Sequence, residues 1–306
     1  MNNIKVSVIM SAYNAENTIR RAISSVLNQT HKNVELVIVN DSSTDKTLDI
    51  INSFVDDRIK VINHTENLGA GWARYNGIKQ MTGEYNTFCD SDDELLPDTI
   101  ETLLKEAVKK GVDIVSPGYT YHSLNGPTYD RLPDKDLIRE GSLMKIDNSN
   151  TLHFININLI KSYLWGTVDY SKRRFVEDTP TFMNILQIAK GRSIIPFAGY
   201  QYYQTEGSLC ESSTELKKEI FSCLGLVDNY DFFVKHKPTE VYNIVKTLEF
   251  RLARMFQLLY SSMEDKSIYK EELTEVLQFY KQLVAQNKGN EKLVNGVVVQ
   301  QVNFKG

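Results

Sequence analysis

The sequence is short of cysteine, of one-sided charge and of long apolar runs, and each shortage removes a class of protein. Its three cysteines, Cys89, Cys210 and Cys223, are scattered and odd in number. No CxxC pair exists, so neither a zinc site nor a disulfide framework is indicated, and a reduced, cytoplasmic setting is expected. Net charge is −4 with the two signs interspersed, so no basic stripe for nucleic acid is present. No apolar stretch approaches the length of a membrane span, and no secretory leader pattern precedes the first strand. Internal repeats and low-complexity segments are absent. So are a Walker A sequence and the third glycine of a dinucleotide fingerprint after Gly69-x-Gly71.

What is present is a rhythm. The 306 residues suffice for one large domain and an appendage, or for two domains. Val6–Tyr13 is an apolar run ending in polar residues, and Val34–Asn40 is a continuous β-branched run of the kind buried on both faces. Ile59–Asn63, Tyr85–Cys89 and Val112–Ser116 read as further strands. Helical spacing covers Glu16–Gln29, Asp45–Phe54, Gly69–Met81 and Pro97–Lys110. The alternation predicts an α/β domain: a doubly wound, mostly parallel sheet with helices on both faces. Beyond Tyr119 the pattern loosens. Asn125-Gly126 marks a hairpin turn, Pro133–Asp136 a loop, and residues 151–165 are mixed and Asn-rich. A second organised stretch begins near Phe175, with a helix from Thr179-Pro180 to Lys190 and a strand over Ser193–Gln204. Amphipathic segments Glu215–Lys235, Glu240–Met263 and Ile268–Gln286 predict a helical C-terminal subdomain, followed by a tail, Leu293–Gly306, of no assigned role.

Ligands of open parallel sheets bind beyond the carboxyl ends of the strands. The polar clusters there are Ser11–Asn14, Asp41–Ser43 and Asp90–Asp93. Tyr13 offers an aromatic platform for a nucleobase, with Asn14 and Glu16 as polar handles. Asp41 can accept from a base N–H or a ribose hydroxyl, or cap the next helix; with Ser42, Ser43, Thr44 and Asp45 also available as caps, it is partly spare. Asn67–Gly77 opens a helix with two glycines, where backbone N–H groups can approach an anion and Arg74 can reach a phosphate. Asp90-Ser91-Asp92-Asp93 supplies hard oxygen ligands for Mg2+ or Mn2+; alone, it also reads as a solvated turn. Glu177-Asp178 precedes a helix start, where the dipole favours an ionised carboxylate, so a base there is expected to stay deprotonated. The plain alternative is a dipole-complementing acidic pair.

In order, VSVIMSAYN at Val6–Asn14, the Ser25–Thr30 stretch, VELVIVNDSSTD at Val34–Asp45, NLGAGWARYNG at Asn67–Gly77, Gly83-Glu84-Tyr85 and DSDD at Asp90–Asp93 resemble the family 2 inverting glycosyltransferases of GT-A fold. The resemblance covers residues 5 to about 115 closely and runs more weakly to about 210. It implies a donor-binding half at 1–115 and an acceptor-side half with the general base at 116–211, and the amphipathic segments place the helical subdomain at 212–306. It implies that Ala12, Tyr13, Asn14, Glu16 and Asp41 surround the nucleoside of a UDP-sugar. Asn67, Gly71 and Arg74 would lie on the base or diphosphate side, and Asp90, Ser91 and Asp92 would form the DxD motif. Asp92 and Asp90 would serve the Mn2+ or Mg2+ ion, and Asp178, beside Glu177, would be the base. The implied activity is transfer of a sugar with inversion to a hydroxyl of a glycan, lipid-linked or protein acceptor, in surface glycan or glycoconjugate synthesis. The sequence departs from the family in Ala12 where many relatives have Pro, in Asn40-Asp41-Ser42-Ser43 for Asp-Asp-Gly-Ser, and in Tyr202–Ser208, where His or Arg is usual. A basic contact to the diphosphate is therefore absent or supplied elsewhere.

Two other readings stand beside this one: a non-catalytic nucleotide-sugar binding module, and a nucleotidyltransferase, against which the missing glycine-rich loop after Met10 counts. The C-terminal helices are expected first to cover the catalytic domain. Pairing with a second copy and peripheral contact with the inner face of a membrane are left open.

Overall fold

The protein is described from a computed structural model, which covers residues 3–133, 155–168, 170–171, 173, 177–205, 214–261 and 265–286. It divides into two compact units, Met1–Ser208 and Leu209–Gly306. The expected loop beyond Pro133, the start near Phe175, residues 206–213 and the tail from Leu293 lie outside the described residues.

The first unit is built on strands β1 (Val6–Ala12), β2 (Val34–Asn40), β3 (Ile59–Asn63) and β4 (Tyr85–Phe88), which pair in parallel in the order β3-β2-β1-β4. Every residue of β2 is buried, the outcome its β-branched run predicts for a strand covered on both faces. Val6, Val8, Met10, Leu36 and Ile38 pack against helices α1 (Ile19–Leu27) and α4 (Thr99–Lys110). The opposite face takes α3 (Ala70–Gln80). Gly77 allows this contact, because a Cβ there would meet Ile9 Cγ2 at 2.6 Å. A short α2 (Thr47–Asn52) follows β2. These helices are shorter than their periodic patterns: α1 begins at Ile19 rather than Glu16, and α4 begins two residues after Pro97.

Past β4 the sheet becomes mixed. The two-residue β5 (Glu94–Leu95), then β6 (Ile114–His122), β7 (Thr128–Arg131), β8 (Leu159–Lys161) and β9 (Arg192–Tyr203) extend it in the order β4-β8-β6-β9-β5, with β7 antiparallel on β6. Strand β8, unforeseen in the Asn-rich stretch, inserts antiparallel between β4 and β6. Helix α5 (Asp178–Ile188) leads into β9. The register Glu94↔Gln201 draws the end of β9 alongside the turn that follows β4.

The second unit contains α6 (Glu215–His236), which packs against both α7 (Val241–Ser261) and α8 (Lys270–Gln286). Thr214 caps α6 by accepting from the Lys217 N–H at 3.2 Å. Arg251 and Arg254 pair with Glu219 and Glu215 of α6, while Phe250 stands 70% exposed, outside the apolar seam. Among the described residues no helix is long and apolar enough to cross a membrane.

Candidate functional site

The carboxyl ends of β1, β2 and β4 lie side by side, as the parallel register requires. The loops after β1 and β2 are tied together. The Asp41 N–H donates to the Ala12 carbonyl at 2.8 Å. Asn14, in the left-handed region at φ 49°, accepts through Oδ1 from the Thr44 N–H at 2.8 Å, and its own N–H donates to Ser43 Oγ. Glu16 accepts from the Lys46 N–H at 3.0 Å. Asn14 Oδ1 and Glu16 Oε2, on residues expected as ligand handles, thus help to fix the loops. Tyr13 is 49% exposed at the junction and keeps a free aromatic surface.

Asp41 is not spare. It is 3% exposed, and its carboxylate accepts from His64 Nδ1 at 2.7 Å and from the N–H groups of Leu68 and Gly69 at 2.9 and 2.7 Å. Asn76 Nδ2 lies 2.9 Å from His64 Nε2, so both ring nitrogens have a polar partner and the imidazole is held in place. Asp41 therefore shapes the loop that carries Asn67 and leads to Gly71 in the first turn of α3. Gly69, at φ 92°, takes a backbone conformation that a side chain would oppose.

The acidic turn after β4 is held from several sides. Asp93 is 1% exposed and accepts from the Tyr200 hydroxyl at 2.6 Å and the Tyr203 N–H at 2.8 Å, so it anchors β9 rather than facing a ligand. Arg21 of α1 donates to the Asp92 carbonyl at 2.6 Å, pairs with Glu94 at 2.9 Å and stacks over the Tyr203 ring at 3.8 Å. Thr205 donates to Asp92 Oδ2 at 2.9 Å. Burial, and next the negative charge of Asp90, raise the Asp92 carboxyl above its ordinary value. Ser91 is half-buried between the two aspartates.

Arg74 occupies the centre. Its side chain is 9% exposed; Nη2 donates to Asp90 Oδ1 at 2.6 Å, and Nη1 donates to Glu177 Oε1, 103 residues away in sequence. Asn156 Nδ2 donates to the other Asp90 oxygen. Arg74, expected to grip a phosphate, has both ends of its fork on carboxylates, and a phosphate contact would require one of them to yield. Burial outweighs this pairing at Glu177, whose carboxyl is pushed up to about 7, with Asp178 adding to the rise. Asp178 opens α5 beside it. Its carboxyl is also raised, because desolvation exceeds the opposing effects of Arg74 and the helix-start N–H groups. The expected depression by the helix dipole is overruled.

No three His, Cys, Asp or Glu side chains converge as a metal cage among the described residues. The donor set nevertheless suits Mg2+ or Mn2+, which hold waters and phosphate oxygens around one or two carboxylates. Asp92 is the better placed of the pair, since both oxygens of Asp90 already accept from Arg74 and Asn156. His64, Asn156, Tyr200, Thr205 and Arg21 were not foreseen as site residues.

Comparisons with known proteins bear on the family and the fold. The family model described as Glycosyl transferase family 2 matches residues 7–169. Glycosyltransferase GlyG of Streptococcus pneumoniae is 30% identical over 224 residues, 69% of this chain and 74% of that protein. Glycosyltransferase GlyA of the same organism is 32% identical over 225 residues, and the chain spans about a third of its length, 32%. The crystal structure of S. aureus TarS 1–349 in complex with UDP-GlcNAc superposes with a TM-score of 0.69 at 21% identity, covering 90% of this chain and 81% of that one. The chain belongs to glycosyl transferase family 2, and its first unit has the GT-A fold.

Proposed function

We propose that the protein transfers a sugar from a nucleotide-diphospho-sugar, of the UDP type, to an acceptor hydroxyl on a surface glycan or glycoconjugate, with inversion at the anomeric carbon. The observation that carries this reading is the Arg74 bridge. It joins the acidic turn at the end of β4 to Glu177-Asp178 at the start of α5, so that a carboxylate pair suited to a diphosphate-bound cation and a carboxylate suited to proton transfer stand in one cluster. Tyr13 would stack on the base, and the Asp41-ordered loop with Asn67 and Gly71 would border the nucleotide. Asp92 and Asp90 would hold Mn2+ or Mg2+, which when bound supplies positive charge against the diphosphate leaving group. Asp178 would accept the acceptor's hydroxyl proton as that oxygen attacks. A carboxyl raised by burial is a stronger base than one in water, and its place at the helix start fixes its position.

The test is release of UDP from a panel of UDP-sugars in the presence of Mn2+, with and without glycan acceptors. Turnover that is lost in Asp178→Asn while UDP still binds supports the reading. Tight UDP binding with no turnover of any donor would replace it with a binding module.

A further inference from the structure

Three polar atoms of the central cluster have no hydrogen-bond partner among the described residues: Arg74 Nε, Asn156 Oδ1 and the Tyr170 hydroxyl. Each such buried group costs about 1–3 kcal/mol against its hydrated state, and three around one ion pair are too many for a closed core. Tyr170 is 2% exposed, its ring packed against Phe88 and Trp165 at centroid distances of 5.9 and 6.1 Å. Phenylalanine would fill that slot equally well. The hydroxyl is instead buried without a partner among the described residues, and Arg74, Glu177, Asp178 and Asp90 lie near enough to act on it electrostatically. The Asn156 amide orientation is forced, because its NH2 faces the acceptor-only Asp90 carboxylate and its oxygen must face away.

One acceptor (Asn156 Oδ1), one donor (Arg74 Nε) and one group that does both (the Tyr170 hydroxyl) complement a polyol. A sugar hydroxyl can donate to the amide oxygen while accepting from the guanidinium or the phenol, and an adjacent hydroxyl can engage the remaining group. A charged group would instead meet the already balanced ion pairs. We propose that Asn156, Tyr170 and Arg74 Nε form a corner that reads hydroxyls of the donor sugar and sets which hexose is accepted. The inference rests on the nucleotide-sugar reading above and assigns the selectivity of that same site.

Titration calorimetry with UDP, UDP-glucose, UDP-galactose and UDP-N-acetylglucosamine, each with Mn2+, tests it on the wild-type chain and on Tyr170→Phe. The wild type should bind one UDP-sugar more tightly than UDP. Tyr170→Phe should fold with an unchanged or higher Tm, keep the UDP affinity within twofold, and lose about tenfold of the sugar's increment, the effect of one neutral hydrogen bond. A deoxy form of the preferred donor should lose the same factor on the wild type and nothing further on the variant, a non-additivity that a purely structural tyrosine would not produce. An equal increment in both proteins, or no increment from any sugar on a wild type that binds UDP, overturns this inference alone. A wild type that binds neither UDP nor any UDP-sugar overturns the parent reading and this one with it.

Discussion

Replacing Arg74 with methionine should destabilise the protein in a way that depends on pH. The substitution keeps most of the apolar stem and deletes the charge shared by Asp90 and Glu177. Losing one partner of a buried pair costs about 3–5 kcal/mol when the other stays charged. Asp90, with 24% of its side chain exposed, recovers part of that loss through water. Glu177, at 8%, cannot, and must take up a proton. Its carboxyl sits at about 7 with Arg74 in place and moves higher without it. The sign follows from linkage. A folded value above the unfolded 4.5 means that the native state holds more protons, so this group's contribution to stability is present at low pH and falls as pH rises toward its folded value. In the wild type that fall ends near pH 7; in the variant it continues. Below pH 7 the two proteins should differ by a roughly constant amount. Above it the gap should widen by at least about 1.4 kcal/mol per pH unit, the equivalent of the Glu177 proton, since Asp178 also loses the lowering effect of Arg74. Urea unfolding at pH 6, 7, 8 and 9 measures the gap. A constant gap between pH 7 and 9 would refute the argument, since it would mean that Glu177 does not take up a proton when Arg74 is gone.

Other outcomes follow from the same geometry. Asp178→Asn should lower kcat about 100- to 10,000-fold, the range for a general base, with UDP affinity by calorimetry unchanged. Asp92→Asn should weaken UDP binding in Mn2+ and leave the metal-free affinity alone, whereas equal weakening in EDTA would remove Asp92 from the ion. Gly77→Ala should cost about 1–3 kcal/mol in urea unfolding, because the added methyl overlaps Ile9 in a closely packed helix–sheet contact. His64→Phe should leave Asp41 short of one donor and increase hydrogen exchange at the Leu68 and Gly69 amides, which the same carboxylate anchors.

The parallel half of the sheet was legible because its physics is local. A run such as Val34–Asn40 has few places to go except the middle of a sheet, and each helix between strands carries its own spacing. Strand β8 was not legible. Three residues, Leu159–Lys161, have no period of their own, and what makes them a strand is pairing with Tyr85-Asn86 on one side and Ile114-Val115 on the other. The same holds for His64. It carries no motif, yet the register Asn40↔Asn63 sets it next to Asp41, and its N–H donates to the Asn40 carbonyl at 2.9 Å. The pairing of β2 with β3 is what places the histidine at the site, and no local pattern records it.

The acidic residues of the site were legible one by one, but their division of labour was not, because it depends on which carboxylate the arginine reaches. Arg74 opens a glycine-rich helix and so reads as a phosphate ligand; the fold instead brings Glu177 to it. That choice bears on the chemistry proposed. The two Nη groups of the guanidinium donate to Asp90 and Glu177, leaving Asp178 outside the clamp although it feels the charge. Were the fork on Asp178, hydrogen bonds to its ionised form would lower its proton affinity and weaken it as a base. With Glu177 in that place, burial can raise Asp178 while the helix start still orients it. The helix start lowers the Asp178 carboxyl, the sign its place in sequence predicts, but desolvation by burial is the larger effect.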